Sequence, residues 1–480
     1  MPNSPNPRHV HLIGICGTAM ASLAGLLQLS GCRVTGSDNA IYPPMSDVLA
    51  GLGIPILQPY AAFNLQPKPD CIIVGNAISR GNVELEYALD QKISIRSMAQ
   101  TIYETVLQGR ESLVVAGTHG KTTTTSMLAW IYEVAGQKNP DWTPSFLIGG
   151  VAENFGTSFA LRPTRPFIIE GDEYDTAFFD KGPKFLHYFP DALILTHVEY
   201  DHADIYLDLE AVRTSFKRLV NLVPRRGRII AFDGSANVTQ CVAGAFCPVE
   251  RYGFAADSYW HVSDFSTVGE RSLWRVDRKA LPWMEFEMPF VGEHNVLNAT
   301  AAAALAAGQG VPNEAIRKAL ASFRSVRRRL EVCAEIAGIT IIDDFAHHPT
   351  AIRETLRALQ ARYPGRRLWA VLEPRSNTLR RNIFEKELVE SLAMANEVIL
   401  AAVYQPVKIP AEQLLHADKV VASLNDRAIP AILLPDADAI VAHLAGQLRS
   451  GDVIAILSNG AFGDIYHKLP QRLRQQQSEG

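Results

Sequence analysis

Ala116-Gly117-Thr118-His119-Gly120-Lys121-Thr122-Thr123 gathers residue types that hold phosphate: a glycine turn after an apolar strand, then lysine and threonines opening a helix. Backbone N–H groups at such a turn point at phosphate oxygens. Lys121 adds a mobile positive charge for β and γ phosphates, and the Thr122 hydroxyl can ligate Mg²⁺. The usual G-x-x-x-x-G-K-[ST] spacing is not met, because Val115 occupies the first glycine position. A tight strand-to-helix turn with a surface lysine is the plainer alternative. The strand before and the helix after favour nucleotide binding.

Two acidic stretches, Glu170-Gly171-Asp172-Glu173-Tyr174-Asp175 and Glu199-Tyr200-Asp201-His202-Ala203-Asp204, follow predicted strands and bring carboxylates and an imidazole to where phosphates would lie. Mg²⁺ takes only one or two protein carboxylates, so most of these acids cannot be ligands, and about half read as caps or solvated loop charge. Asn295, in Gly292-Glu293-His294-Asn295, could pair with an adenine edge or simply open the following alanine helix. Arg327, Arg328 and Arg329 suit charge developing during phosphoryl transfer, or form a solvated run. Asp343-Asp344-Phe345-Ala346-His347-His348 could orient a ribose or an amine, and Arg375 suits bidentate capture of a carboxylate. Gly460 and Gly463 permit either close approach to a ligand or a turn. Near the start, Gly14-Ile15-Cys16-Gly17-Thr18-Ala19 is a defective dinucleotide fingerprint, with Asp38 roughly where a ribose-binding acid would sit. That argues against a dehydrogenase but leaves room for a diphosphate at this helix.

The elements that position these residues are strands alternating with helices. Strands are expected at Val10–Gly14, Arg33–Thr35, Cys71–Val74, Ser112–Ala116, Pro166–Glu170 and Ala192–Thr196. Five more are expected at Thr340–Asp343, Leu368–Leu372, Glu397–Ala401, Ala431–Leu434 and Val453–Leu457. The pattern implies parallel sheets with ligands at the strands' carboxyl ends. Gly227–Met288 reads as an antiparallel edge, and Arg324–Arg329 as a linker. At 480 residues the length suits about three domains.

A formal charge of −4 argues against a general nucleic-acid binder. Six scattered cysteines, without a C-x-x-C pair, read as reduced thiols. The Met1–Arg8 start shows no secretory signal, and no apolar run suffices for membrane insertion, so the expected location is cytoplasmic.

In order along the chain, AGTHGKTTTT, EYDHAD, GEHNVLNATAAAA, RRRLE, DDFAHHPTAI and SNGAFG resemble the Mur ligase family, over nearly the whole length. GICGTAM, GSDNAIYPPMS, GNAISRGN, YDTAFFDKGPKF and EPRSNT are similar to its subgroup that attaches a recovered peptide. The resemblance implies three consecutive α/β domains: an N-terminal Rossmann-like UDP-sugar domain (1–110), a central P-loop ATPase-like domain (111–326) and a C-terminal Rossmann-like amine domain (327–480). It implies an ATP- and Mg²⁺-dependent ligase, monomeric or homodimeric. The implied reaction joins L-Ala-γ-D-Glu-meso-diaminopimelate to UDP-N-acetylmuramate through an acyl phosphate, in peptidoglycan recycling. L-alanine as the amine, in de novo synthesis, is the alternative; a nucleotide-gated binding protein without turnover is a further rival.

By motif, the resemblance puts Gly117, Thr118, Gly120, Lys121, Thr122 and Thr123 at the nucleotide, and Thr122, Glu173 and His202 at Mg²⁺. Lys121, His202 and Arg328 are the implied catalytic residues. His294 and Asn295 would meet the adenine, Arg328 the phosphates and Asp344 the ribose. His348 and Arg375 would face the peptide, and Gly17, Thr18, Ser37, Asp38 and Asn76 the UDP sugar. Two departures stand out: His197 replaces a usual Asn, and Lys217 lies where some relatives carry a carbamoylated lysine, although a helix-surface lysine is the favoured reading here.

Overall fold

The computed structural model describes residues 9–41 and 45–479. The Met1–Arg8 start and the Tyr42–Pro44 part of GSDNAIYPPMS lie outside the described residues.

Three sheets follow one another along the chain. The first contains β1 (His9–Ile13), β2 (Arg33–Ser37), β3 (Ile56–Leu57), β4 (Cys71–Val74) and β5 (Ile95–Ser97), all parallel in the order β3-β2-β1-β4-β5. The next strands are β6 (Glu111–Ala116), β7 (Ser145–Ala152), β8 (Thr157–Ala160), β9 (Pro166–Gly171) and a small hairpin, β10 (Asp175–Ala177) with β11 (Asp180–Pro183). Then come β12 (Ala192–Leu195), β13 (Arg228–Phe232), β14 (Val249–Gly253), β15 (Trp260–Val268), β16 (Arg271–Arg278) and β17 (Leu281–Met288). Apart from the hairpin these form one ten-stranded sheet, β17-β16-β15-β14-β13-β12-β6-β9-β7-β8. The third sheet holds β18 (Glu331–Ile336), β19 (Ile339–Asp344), β20 (Leu368–Leu372), β21 (Glu397–Ala401), β22 (Ala431–Leu434) and β23 (Val453–Leu457), ordered β18-β19-β23-β20-β21-β22.

Strand composition explains the pairing. β4, β12 and β23 are unbroken apolar runs buried at every residue, as parallel strands covered on both faces must be. β15 and β16 alternate, with one side toward solvent, and β16 pairs antiparallel with both β15 and β17. The expected antiparallel edge is therefore β15–β17, whereas β13 and β14 remain parallel.

The first two sheets share an apolar core that runs from Val10 and Leu12 to Val114 and Leu193. Helix Thr18–Leu29 lies on the β7–β8 hairpin, with Gly25 beneath the Phe159 ring. In the second sheet, the alanines of helix Glu293–Gly308 pack against helix Lys121–Gly136, which leaves β6 through the glycine turn. The third sheet has its own apolar layers on its two faces.

Candidate active site

Val115 is fully buried in β6, paired with Glu170 of β9 and Ile194 of β12. The position where the usual pattern has glycine is therefore core strand here, and a branched side chain suits it. The turn itself begins at Gly117. Gly117 (φ +138°) and Gly120 (φ +77°) are left-handed, and added Cβ atoms would come within 2.0 Å of Thr196 Oγ1 and 2.6 Å of Asn298 Oδ1. The chain leaving β12 grips this turn. Thr118 N donates to His197 O (2.8 Å), Thr196 Oγ1 to His119 O (2.6 Å), and Glu199 N to Thr118 Oγ1 (3.2 Å). Helix Lys121–Gly136 starts at Gly120 with no side-chain cap, so its first amides present donors and the positive helix end to a ligand.

Lys121 Nζ lies 2.9 Å from Glu173 Oε1 and 2.8 Å from Oε2, and His202 Nε2 lies 3.0 Å from the same Oε1. Burial opposes the Glu173 charge, but Lys121 and His202 outweigh it and hold the carboxyl below its ordinary value. Burial likewise opposes a charged His202, yet the Glu173 hydrogen bond and charge raise it to about 9. Thr122 Oγ1 donates to Glu170 Oε1 (3.0 Å) and Gly149 N to Glu170 Oε2 (2.7 Å), while Lys184 pairs with Asp172 (2.6 Å). Burial pushes the Glu170 carboxyl up.

A hydroxyl, an imidazole and buried carboxylates thus converge beside the amide-rich turn. Glu173 Oε2 is buried and accepts no hydrogen bond, although Lys121 is ion-paired with it. This donor set suits a hard divalent cation alongside phosphates.

Loops of the third sheet reach the same place. His348 Nδ1 accepts from Thr350 N (3.3 Å), capping helix Pro349–Arg362, so its Nε2–H donates to Tyr200 O (3.2 Å). Burial pushes His348 down to about 4, which keeps it neutral. His119 Nε2, Glu199 Oε2 and His348 Nδ1 lie within 4.8 Å of one another. Both His348 nitrogens are already engaged, so this trio is a hydrogen-bonded seam and not a second metal site. Thr378 Oγ1 donates to Asp201 Oδ1 (2.6 Å), and Asn377 Nδ2 to Asp204 Oδ2 (2.7 Å). The Arg375 guanidinium lies 3.8 Å from the Tyr404 ring centroid and against Gly460, where a Cβ would come within 2.0 Å of Arg375 Nε. Gly460 is therefore a close-approach glycine.

Family models for the Mur ligase family catalytic domain, the Mur ligase middle domain and the Mur ligase glutamate ligase domain match residues 9–109, 115–306 and 328–460. A UDP-N-acetylmuramate–L-alanyl-γ-D-glutamyl-meso-2,6-diaminoheptandioate ligase of Escherichia coli (strain K12) is 43% identical over 96% of this chain and 97% of its own. The chain belongs to the Mur ligase family. A UDP-N-acetylmuramate–L-alanine ligase of Acidithiobacillus ferrooxidans is 31% identical over 97% of each chain. The crystal structure of a murein peptide ligase from Psychrobacter arcticus is 36% identical, with a TM-score of 0.72 over 97% of this chain and 98% of that one.

Within this Mur ligase the remaining expected residues fall into two groups. Gly17 and Thr18 are exposed at the start of helix Thr18–Leu29, and Asn76 is half-buried just after β4. Other side chains are committed inside the fold. The Ser37 hydroxyl is fully buried and donates to Glu84, so it does not face a ligand as expected. Asp38 accepts from Cys16 N (2.9 Å) and Ala40 N (3.0 Å), which shapes the turn at Gly17. Asn295 Nδ2 donates to Val291 O (2.9 Å), one turn back, and burial pushes neighbouring His294 down to about 4. Asp344, expected at a ribose, accepts from Leu330 N (2.8 Å), Ala346 N (2.9 Å) and Thr355 Oγ1 (3.1 Å). Arg328, expected at phosphates, is bound to Asp343 (2.8 Å) and Ser458 O (2.8 Å).

His197 sits against Phe232 and the glycine turn, pushed down to about 4 by burial and by neighbouring His119. Lys217 pairs with Glu210 (3.2 Å) on the exposed side of its own helix, the surface role. The site also uses residues left unassigned in the sequence: Glu170, Lys184, Glu199, Asn298 and Thr378. Their motifs were visible, but the partners are far apart in sequence.

Proposed function

We propose that this Mur ligase joins the free amine of L-Ala-γ-D-Glu-meso-diaminopimelate to the lactyl carboxylate of UDP-N-acetylmuramate, with conversion of ATP to ADP and phosphate, in peptidoglycan recycling. One observation carries the reading. Lys121, Thr122, Glu173 and His202 converge on an amide-rich turn, in a chain whose full-length relative with that activity is 43% identical.

The γ-phosphoryl group passes from ATP to the carboxylate, giving an acyl phosphate and ADP. The amine then attacks the acyl carbon, phosphate leaves, and a proton is released. The amides of Gly117, Gly120 and Thr123 align the phosphates, Thr118 N being held by His197 O, and Lys121 turns from Glu173 to neutralise them. Thr122, Glu173 and His202 would hold Mg²⁺, which supplies further charge neutralisation. Residues 1–110 take the UDP sugar at the Gly17 and Thr18 amides, with Asn76 nearby. Residues 111–326 take ATP, and residues 327–480 bring the amine past His348 and Arg375. The seam at His348 and Thr378 keeps water from the acyl phosphate. Among the described residues no helix is long and apolar enough to cross a membrane. The use of ATP and a nucleotide-linked sugar supports a cytoplasmic location.

The test is ADP release with UDP-N-acetylmuramate and Mg-ATP, comparing L-alanine, a dipeptide and the tripeptide. Strong stimulation by the tripeptide alone is expected. Stimulation by L-alanine alone would overturn the substrate assignment.

A further inference from the structure

His202 is left-handed, with φ +54°, a less common conformation for a residue with a Cβ and one that neighbouring hydrogen bonds help to hold. The third sheet's unit takes part in those bonds. Thr378 Oγ1 donates to Asp201 Oδ1 (2.6 Å) and accepts from Ala203 N (3.2 Å). Asp201 Oδ1 also accepts from His202 N (2.7 Å). One hydroxyl therefore bridges the residues before and after His202. Thr378 is 2% exposed and Asp201 4%, so water does not compete for these bonds.

The neighbouring contacts follow the same pattern. Tyr200 O is bonded by His348, and Asp204 by Asn377. Four of the five residues 200–204 thus bond the C-terminal unit, while the His202 ring turns the other way, to Glu173.

We propose that Thr378 is a positioning residue that couples docking of the C-terminal unit to the aim of His202 at the metal and phosphate site. The inference rests on the function proposed above and adds the atoms that link its two halves. With the C-terminal unit away, Asp201 loses a donor and Ala203 N an acceptor, and the turn is free to relax. The site for phosphoryl transfer is then complete only when the amine-bearing unit is in place.

The test compares Thr378→Val, which keeps the shape without the hydroxyl, with Thr378→Ser, which keeps the hydroxyl. Partners that orient a metal ligand typically matter 10–100-fold in metal affinity. Thr378→Val should raise the Mg²⁺ concentration for half-maximal ADP formation by about tenfold or more and lower kcat. The tripeptide KM should stay near wild type, and Thr378→Ser should recover most of the loss. Amide exchange at residues 201–204 gives an arm independent of turnover: it should accelerate in Thr378→Val and not in Thr378→Ser. Unchanged Mg²⁺ dependence with unchanged exchange refutes the coupling, as does a defect confined to tripeptide KM. If Thr378→Val does not fold, Thr378→Ala supplies the same comparison. Should wild-type protein release no ADP with these substrates, the functional reading falls, while the exchange result still decides the coupling.

Discussion

Where the N-terminal unit meets the middle one, Gly25 lies so close to the Phe159 ring that a Cβ would come within 2.1 Å, and the buried Ser22 Oγ meets Ser158 Oγ at 2.8 Å. Where the middle unit meets the C-terminal one, apolar contacts at Val291 and between the Tyr200 and Phe384 rings stand beside many hydrogen bonds and ion pairs: His348 to Tyr200, Thr378 to Asp201, Asn377 to Asp204, Arg357 to Glu293 and Arg362 to Glu270. Packed apolar surface has no substitute partner when separated, whereas polar groups uncovered by separation can bond water instead. The first seam should therefore resist separation more than the second, which is the one that the proposed coupling through Thr378 needs to open. Such an arrangement suits a ligase that must admit three substrates and then exclude water.

Breaking the apolar seam should have the largest effect on stability. Phe159→Ala removes a nearly buried ring and should cost about 3–5 kcal/mol, seen as a lowered, split transition in calorimetry. Gly25→Ala overpacks the same contact and should cost about 1–3 kcal/mol.

Acid should act next, through imidazoles at and near the polar seam. Burial pushes His197, His294 and His348 down to about 4, against about 6.5 in an unfolded chain. Between those values the unfolded chain binds more protons, so stability falls as pH falls, by up to about 1.4 kcal/mol per pH unit for each imidazole. His202 has the opposite sign: burial works against its charge, but Glu173 raises it to about 9. Its contribution is present below about 6.5 and is lost as pH rises through 9. In Mg²⁺-free buffer, Tm should peak near neutrality, and His197→Asn should make the acid limb shallower. An unchanged acid limb would show that His197 is not one of the titrating groups.

The smallest effect is expected on the polar seam itself. Asn377→Ala should change stability by less than about 1 kcal/mol. It should nevertheless shift the C-terminal unit toward open positions, measurable as a larger radius of gyration in solution scattering.

Legibility in the sequence followed the same division. Long apolar strands such as β6, β12 and β23 were readable because a run of buried residues leaves a strong pattern. The two-residue β3, and β7 with Gly149 and Gly150 inside it, leave little pattern. Local parts of the site, from Gly117 to Thr123, were visible because strand, turn and helix are contiguous. The Thr378–Asp201 pair was not, since 177 residues separate partners that only the closed seam brings together. Ser37 misled in the other direction. The resemblance implied a contact with the UDP sugar there, but the hydroxyl is buried against Glu84, on a helix nearly fifty residues away.

The account turns on Lys121 at the amide-rich turn. The most direct measurement is ADP formation by Lys121→Ala with UDP-N-acetylmuramate, tripeptide and Mg-ATP, alongside its thermal transition. Turnover lower by a factor on the order of a thousand, in a protein that still folds, is the predicted result. Turnover close to wild type would contradict it.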